Sequence, residues 1–289
     1  MEFIALRTFQ AVVEEGGILS ASRKLNTVQS NVTTRIKRLE EELGAELFYR
    51  KGRGLELAPS GKVLLEYTRQ LLQLESQAGA AVRQVGEMSG ELRIGSMESF
   101  AALRLPPLLK SLRETHRGVD LFVQTDTSAA LIEQVLEHKL DCAFVGGPVR
   151  HPELNAVDVF EDQLVLVRAK HQHQSNLPLI LFREGCAYRA RALQWQQEAG
   201  YQSDDVMELG TLDGILGCVA MGLGYTLMPR WIVLGNRHCD ELETEAISPH
   251  LAEISTTLIY HRNSLPLKAI ETLLEQAKAL ELPTNNAVI

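Results

Sequence analysis

The sequence predicts a multidomain α/β chain in three parts: a small N-terminal unit of three helices and a hairpin, one long helix, and a two-lobed domain of alternating strands and helices. Three observations carry the prediction. In the first 58 positions apolar residues recur at helical spacing in three runs, then give way to two β-prone runs around a glycine-containing turn. From Leu64 to Val85 they alternate spacings of three and four without a slip. From Glu91 onward short apolar strands alternate with helices through two cycles. At 289 residues two or more domains are expected, and 45% hydrophobic residues suffice for sizeable cores.

The first helix carries the stripe Phe3, Leu6, Phe9 and Val13 and ends at Gly16-Gly17. A short helix over 19–25 follows. Asn26-Thr27 makes a tight turn into a longer helix that reaches Leu43, with Thr27 expected as its N-cap. Val28, Val32, Ile36, Leu39 and Leu43 make one apolar face of that helix. Its other side carries Gln29, Ser30, Thr33 and Thr34 first, then Arg35, Lys37 and Arg38, and only then Glu40-Glu41-Glu42. Amide and hydroxyl groups in front with cations behind suit a major groove, where Gln, Ser and Thr reach base edges and Lys or Arg hold phosphates. A solvated helix face would also carry polar residues, so the flanking segments matter. Helix, short helix, turn and longer helix is the helix-turn-helix order. Residues 47–57 then read as a hairpin wing that sets Arg50, Lys51 and Arg53 along the sugar-phosphate backbone.

On these residues the segment 3–61 resembles the winged helix-turn-helix of LysR-type transcriptional regulators. The pattern stands here as Leu6, Phe9, Ala21-Ser22, Leu25, Gln29-Ser30, Val32, Thr33, Ile36, Leu39-Glu40, Leu43-Gly44, Leu47-Phe48, Arg50, Arg53, Leu57, Pro59 and Gly61, with its spacing kept throughout. The resemblance extends over nearly the whole chain. Three positions depart from it. Ile18 stands where a Ser usually caps the second helix, Val28 where a Ser or Thr begins the recognition helix, and Ala58 where a Thr precedes Pro59. They touch the capping and some phosphate contacts, not the fold.

The net charge of −8 looks wrong for a DNA binder until it is divided. Residues 1–62 hold ten Lys+Arg against eight Asp+Glu, and the remainder nineteen against twenty-nine. The basic charge is thus concentrated at the N-terminal end. DNA affinity should fall with salt, by about one unit of log–log slope per phosphate contact.

Pro59 and Ser60 suit a helix start, and Leu64, Tyr67, Leu71, Leu74, Ala78, Ala81 and Val85 form an a/d heptad. Its partner is either the helix's own domain or a second copy of the chain. The resemblance implies the second, as the linker helix of a dimer that presents two recognition helices to a pseudo-palindromic site. A homodimer follows, with a homotetramer as the further expectation. Gly86 to Gly90 marks the next boundary. The expected divisions are residues 1–58 for the winged helix-turn-helix, 59–89 for the linker helix and 90–289 for the α/β domain.

Strands are expected at 92–96, 119–124 and 141–145, with helices at 105–114 and 129–138, and a doubly wound parallel sheet follows. A second cycle starts near Leu164 and runs through a strand at 179–182 and helices at 189–199 and 212–221. A last strand, 257–261, leads to a helix at 266–280. As in the family's effector domain, this resembles a type-2 periplasmic-binding-protein-like fold. Lobe I would comprise 90–161 plus 263–289 and lobe II 162–262, with the crossings near Asp162 and Arg262.

A cleft between such lobes binds small molecules at strand C-termini and helix N-termini, which favour anions. The candidates are Ser96, Ser99, Thr127 and Ser128 on one lobe, and Cys186, Tyr188 and Thr211 on the other. Ser99 and Thr127-Ser128 match positions that face the effector in the family. Each hydroxyl has a second role open to it, capping its own helix. Arg183, Arg189 and Arg191 are either a carboxylate clamp or a solvated charge cluster. Cys186 is either a sensing thiol or a buried apolar side chain. An anionic or amphoteric small effector fits this chemistry.

Four cysteines without metal spacing or short pairing indicate a reducing cytoplasm. No apolar run reaches membrane length and nothing before Phe3 resembles a signal peptide. His171-Gln172-His173 sits in a polar loop, so no metal is expected. No cofactor is expected either, because Gly222-Leu223-Gly224 lacks the third glycine and the preceding strand of a dinucleotide fingerprint. An enzyme, or a binding protein whose N-terminal module serves protein contacts, would need a nucleophile motif or a different N-terminal unit. A transport solute-binding protein would need a leader. The reading is a DNA-binding transcriptional regulator, not an enzyme, whose partners are double-stranded DNA and a small-molecule effector.

Overall fold

Helix α1 (Phe3–Glu14) buries Leu6, Phe9, Ala11 and Val12 and leaves Phe3 46% exposed, so the apolar stripe begins one turn later than its spacing suggests. The computed structural model describes residues 1–51, 54–83, 89–171, 177–200, 205–262 and 268–280. The chain divides into two compact units, 1–85 and 86–289.

In the first unit, α2 (Ile18–Lys24) and α3 (Gln29–Leu43) close on α1 around Phe9, Ala21, Val32, Ile36, Leu39 and Leu47. Asn26 takes φ 48° in the turn between them. Thr27 is not the N-cap of α3. Val28 occupies that position in extended conformation with no side-chain cap, and the Thr27 hydroxyl instead accepts from Asn31 Nδ2 at 3.2 Å. Val28 and Leu43 are exposed, so the buried face of α3 is Val32, Ile36 and Leu39. The helix stops at Gly44, whose φ of 62° suits the left-handed C-terminal turn. Strands β1 (Phe48–Lys51) and β2 (Gly54–Leu57) pair antiparallel as the wing. The Glu40 carboxylate ties the wing to α3 by accepting from Leu47 N at 2.8 Å.

The long helix α4 (Pro59–Arg83) starts hard against the wing: a Cβ at Gly61 would lie 2.3 Å from the Leu47 carbonyl oxygen. Its Leu64 and Leu65 pack on the three-helix core, Thr68 is buried, and Arg7 pairs with Glu75 at 2.6 Å. Of the heptad positions, Leu64 therefore faces its own unit, Leu71 is half-buried, and Tyr67, Leu74 and Ala78 are exposed. Val85 and the side chain of Ala81 lie outside the described residues.

The second unit begins with β3 (Ser89–Ser96), α5 (Glu98–Leu103), α6 (Leu105–Thr115), β4 (Gly118–Thr125), α7 (Ser128–Leu136) and β5 (Cys142–Gly146). Strand β6 (Leu154–Ala169) then runs for sixteen residues. The second lobe follows with β7 (Leu179–Leu181), α8 (Ala187–Glu198), β8 (Val206–Glu208), α9 (Leu212–Ala220), β9 (Thr226–Pro229), α10 (Arg230–Leu234), β10 (Leu242–Ala246) and α11 (Pro249–Ala252). The chain returns through β11 (Glu253–His261) and ends its described part with α12 (Lys268–Ala279). In the first lobe β4, β3 and β5 are parallel. β11 is antiparallel to both β5 and β6, so the sheet is mixed and not wholly parallel as the rhythm suggests.

The first half of β6 pairs with β11 up to Gln163, and its second half pairs with β9 and β10 in the other lobe from Leu164 onward. The return crossing does not fall at Arg262. β11 pairs with β5 over residues 256–260, which places the whole strand in the first lobe and the crossing near Ala252. Hydrogen bonding along the full ladder, not the end of the strand, decides the lobe.

Arg104, between α5 and α6, meets Asp162 of β6 at 3.7 Å, with side chains 8% and 3% exposed. Its guanidinium lies 4.1 Å from the Phe160 ring centroid and 4.2 Å from that of Trp231. Burial lowers the affinity of Arg104 for its proton and raises that of Asp162, while the pairing opposes both shifts.

His138, at φ 55° just after α7, packs its ring 4.2 Å from that of His261. Burial, then the His261 charge, depress the His138 pKa to about 4, with Glu153 opposing. Burial depresses that of His261 as well. The unfolded chain therefore binds protons that the folded one refuses, and stability falls as pH drops from the ordinary histidine value near 6.5 toward about 4. We expect the urea midpoint of the second unit to fall over that window and His138→Asn, which tolerates the left-handed backbone, to flatten the fall; an unchanged pH profile would refute it.

Candidate functional sites

The exposed face of α3 is built by what its buried face anchors. With Val32, Ile36 and Leu39 fixed in the core, Gln29, Ser30, Thr34, Lys37 and Arg38 are exposed and Thr33 is half-buried. The Thr33 and Thr34 hydroxyls donate to the carbonyls of Gln29 and Ser30, which fixes their rotamers and leaves their oxygens able to accept. Arg35 belongs to the other side, donating to the Thr8 hydroxyl at 3.4 Å. Arg50 lies in β1, and nothing is described of its side chain; Arg53 lies outside the described residues.

In the second unit, the N-termini of α5, α7 and α8 converge on a cavity of about 50 Å³ between the lobes. It is lined by Met97, Glu98, Ser99, Asp126, Thr127 and Ser128 on one side and Phe182, Arg183, Cys186 and Tyr188 on the other. Hydrogen bonds join its two sides. Ser99 Oγ and Tyr188 Oη lie 3.2 Å apart, and Ala129 N donates to the Gly185 carbonyl at 3.2 Å. Burial drives the Tyr188 phenol far above its ordinary pKa, so it is a neutral hydroxyl. Thr127 caps α7 by accepting from Ala130 N at 3.4 Å, and Ser128 Oγ accepts from Gly146 N at 3.0 Å.

Five of the seven candidates thus share the cavity: Ser99, Thr127, Ser128, Cys186 and Tyr188. Ser96 is fully buried and donates to the Met97 carbonyl at 3.0 Å, and Thr211 is an exposed cap that accepts from Gly214 N at 3.2 Å; neither lines the cavity. Of the three arginines only Arg183 reaches it. Arg189 donates to the Phe182 carbonyl and to Glu208, and Arg191 to the His250 carbonyl. Burial raises the Cys186 pKa, which leaves a thiol and no poised thiolate.

The sequence reading passed over Glu98 and Asp126. Glu98 Oε1 accepts from Leu212 N at 3.2 Å, so a first-lobe carboxylate caps a second-lobe helix. Burial raises its pKa, against the Leu212 N–H and with the Asp213 charge. Asp126 accepts from Thr127 N at 2.8 Å and Gln134 Nε2 at 3.3 Å and lies 3.7 Å from Arg183. A carboxylate at a helix start, within the first turn for Glu98 and just before it for Asp126, was the available signal.

Among the described residues no group of three His, Cys, Asp or Glu is placed to hold a metal, and no helix is long and apolar enough to cross a membrane. His171 is exposed and His173 lies outside the described residues.

A helix-turn-helix unit at one end of the chain and a two-lobed domain enclosing a cavity with polar groups at the other define a DNA-binding regulator that answers to a small molecule. The family described as "Bacterial regulatory helix-turn-helix protein, lysR family" matches residues 3–62, and "LysR substrate binding domain" matches residues 86–281. The HTH-type transcriptional regulator YofA of Bacillus subtilis is 37% identical over 284 residues, 97% of this chain and 100% of that protein. The fold is that of full-length OxyR from Pseudomonas aeruginosa, a cysteine-to-aspartate variant, at TM-score 0.71 and 18% identity over 96% of this chain and 95% of that one. It is also that of full-length CbnR in complex with its target DNA, at TM-score 0.66 and 20% identity over 96% and 99%. The chain belongs to the LysR family of transcriptional regulators. It is a sequence-specific DNA-binding regulator modulated by an effector, and not an enzyme.

Proposed function

We propose that α3 reads the major groove with Gln29, Ser30, Thr33 and Thr34, while Lys37, Arg38, Arg50 and Arg53 hold phosphates. The observation that carries this is the polar and then basic exposed face of a helix whose opposite face is locked in the core. Gln29→Ala should reduce discrimination between operator and random DNA by about 1–3 kcal/mol, whereas Arg53→Ala should weaken all sequences alike and flatten the salt dependence. Mobility shifts on the DNA upstream of the protein's own gene, at two salt concentrations, read both; full discrimination by Gln29→Ala would refute the assignment.

Two copies pair through α4 in this reading. Tyr67, Leu74 and Val82 expose 59%, 55% and 74% of their surface along that helix, and a second α4 would cover them. Leu71, Ala78, Ala81 and Val85 complete the proposed seam, which Leu64 leaves for its own core, and pairs of dimers form a tetramer. The chain works in the cytoplasm, where its DNA lies. The effector enters the cavity and bears on Ser99, Thr127, Ser128, Cys186 and Tyr188. Because the walls belong to different lobes, a ligand that binds the closed arrangement better shifts the lobes toward it and changes the spacing of the DNA-binding pairs.

A further inference from the structure

We propose that the effector is a small zwitterion of the amino-acid type, its protonated amine paired with Glu98 and its carboxylate held by Thr127, Ser128 and Arg183. The inference rests on the reading of this cavity as the effector site. Glu98 is the residue that asks for a cation. One of its oxygens is used by Leu212 N, and the other, Oε2, is buried with no hydrogen-bond partner among the described residues. A buried carboxylate oxygen in that condition is costly until a donor arrives, and a charged donor suits it best. Asp126 does not compete for that donor, because Thr127 N, Gln134 and Arg183 already attend it. Asp126 and Arg183 also offset each other in charge, which leaves Glu98 as the uncompensated ion of the lining.

The other end of the ligand has donors waiting. Thr127 and Ser128 each accept a backbone N–H, so each keeps its own O–H to give, and Arg183, 59% exposed, stands at the mouth. About 50 Å³ holds roughly four water-sized positions, which restricts the side chain to a few atoms. A plain anion would meet the Glu98 charge. It could bind only if Glu98 were protonated and donated, a state that burial favours, and the test must separate the two.

Calorimetric titration of the full chain with glycine, L-alanine and L-serine, with the matched acids acetate, propionate and 3-hydroxypropionate, and with methylamine, ethylamine and ethanolamine makes the separation. At least one amino acid should bind, its deaminated counterpart at least about tenfold weaker. The isosteric E98Q keeps an oxygen for Leu212 N and should lose at least about tenfold in amino-acid affinity with an unchanged melting curve. Acids binding as tightly as amino acids, E98Q retaining full affinity, or no amine-bearing probe binding would each overturn the proposal. A mobility shift with the same E98Q chain keeps the two levels apart: salt-sensitive operator binding by E98Q would leave the regulator reading standing even if the amine inference fell.

Discussion

Asp162→Ala is expected to destabilise the second unit by about 3–5 kcal/mol, because it strands the Arg104 guanidinium in a buried site with no counter-charge. Phe160 and Trp231 flank that guanidinium but cannot neutralise it. The sharper form of the expectation compares variants. Arg104→Met with Asp162→Leu removes both charges and should recover much of the loss, since buried ion pairs often exchange for apolar residues at little net cost. Urea unfolding followed by tryptophan fluorescence checks this. If the double variant is as unstable as the single one, the pair's role lies in shape and not in charge balance. Because β6 passes between the lobes at Asp162, the loss should also loosen cleft closure, seen as weaker effector binding in the surviving folded fraction.

Phe9→Ala should cost about 3–5 kcal/mol and abolish DNA binding while leaving the second unit folded. Phe9 is 0% exposed and lies 5.5 Å from the Phe48 ring, so it joins the helical core to the wing. A small unit of this kind holds little reserve stability. The separation into two compact units predicts two calorimetric transitions, of which only one moves. A single transition shifted as a whole would show that the units unfold together.

The helices of the first unit were legible because their periodicity is strong: Val32, Ile36 and Leu39 fix α3 within a residue or so of its expected bounds. What stayed hidden has distant partners. The first half of β6 carries Asp158, Glu161 and Asp162, which break any apolar pattern; Asp158 takes the Thr257 hydroxyl at 2.5 Å and Asp162 takes Arg104. β10 reads Leu-Glu-Thr-Glu-Ala, a poor strand by composition, yet Glu243 and Glu245 both pair with Arg168 on the neighbouring strand. The same division holds at the cavity. Strand ends and helix starts pointed to Ser99, Thr127, Ser128 and Tyr188, but the role of Glu98 depends on a helix 114 residues away.

Val28 at the start of α3 gives the proposed DNA contact a thermodynamic meaning. A Ser or Asp there would typically stabilise the helix by about 1 kcal/mol in the free protein. Valine forgoes that, and the first N–H groups of α3 keep an unspent capacity for an acceptor. A backbone phosphate set against them would supply the missing cap. In the proposed complex, the nucleic acid then acts as part of the fold of the unit that reads it, and each productive encounter is also a final step of helix formation.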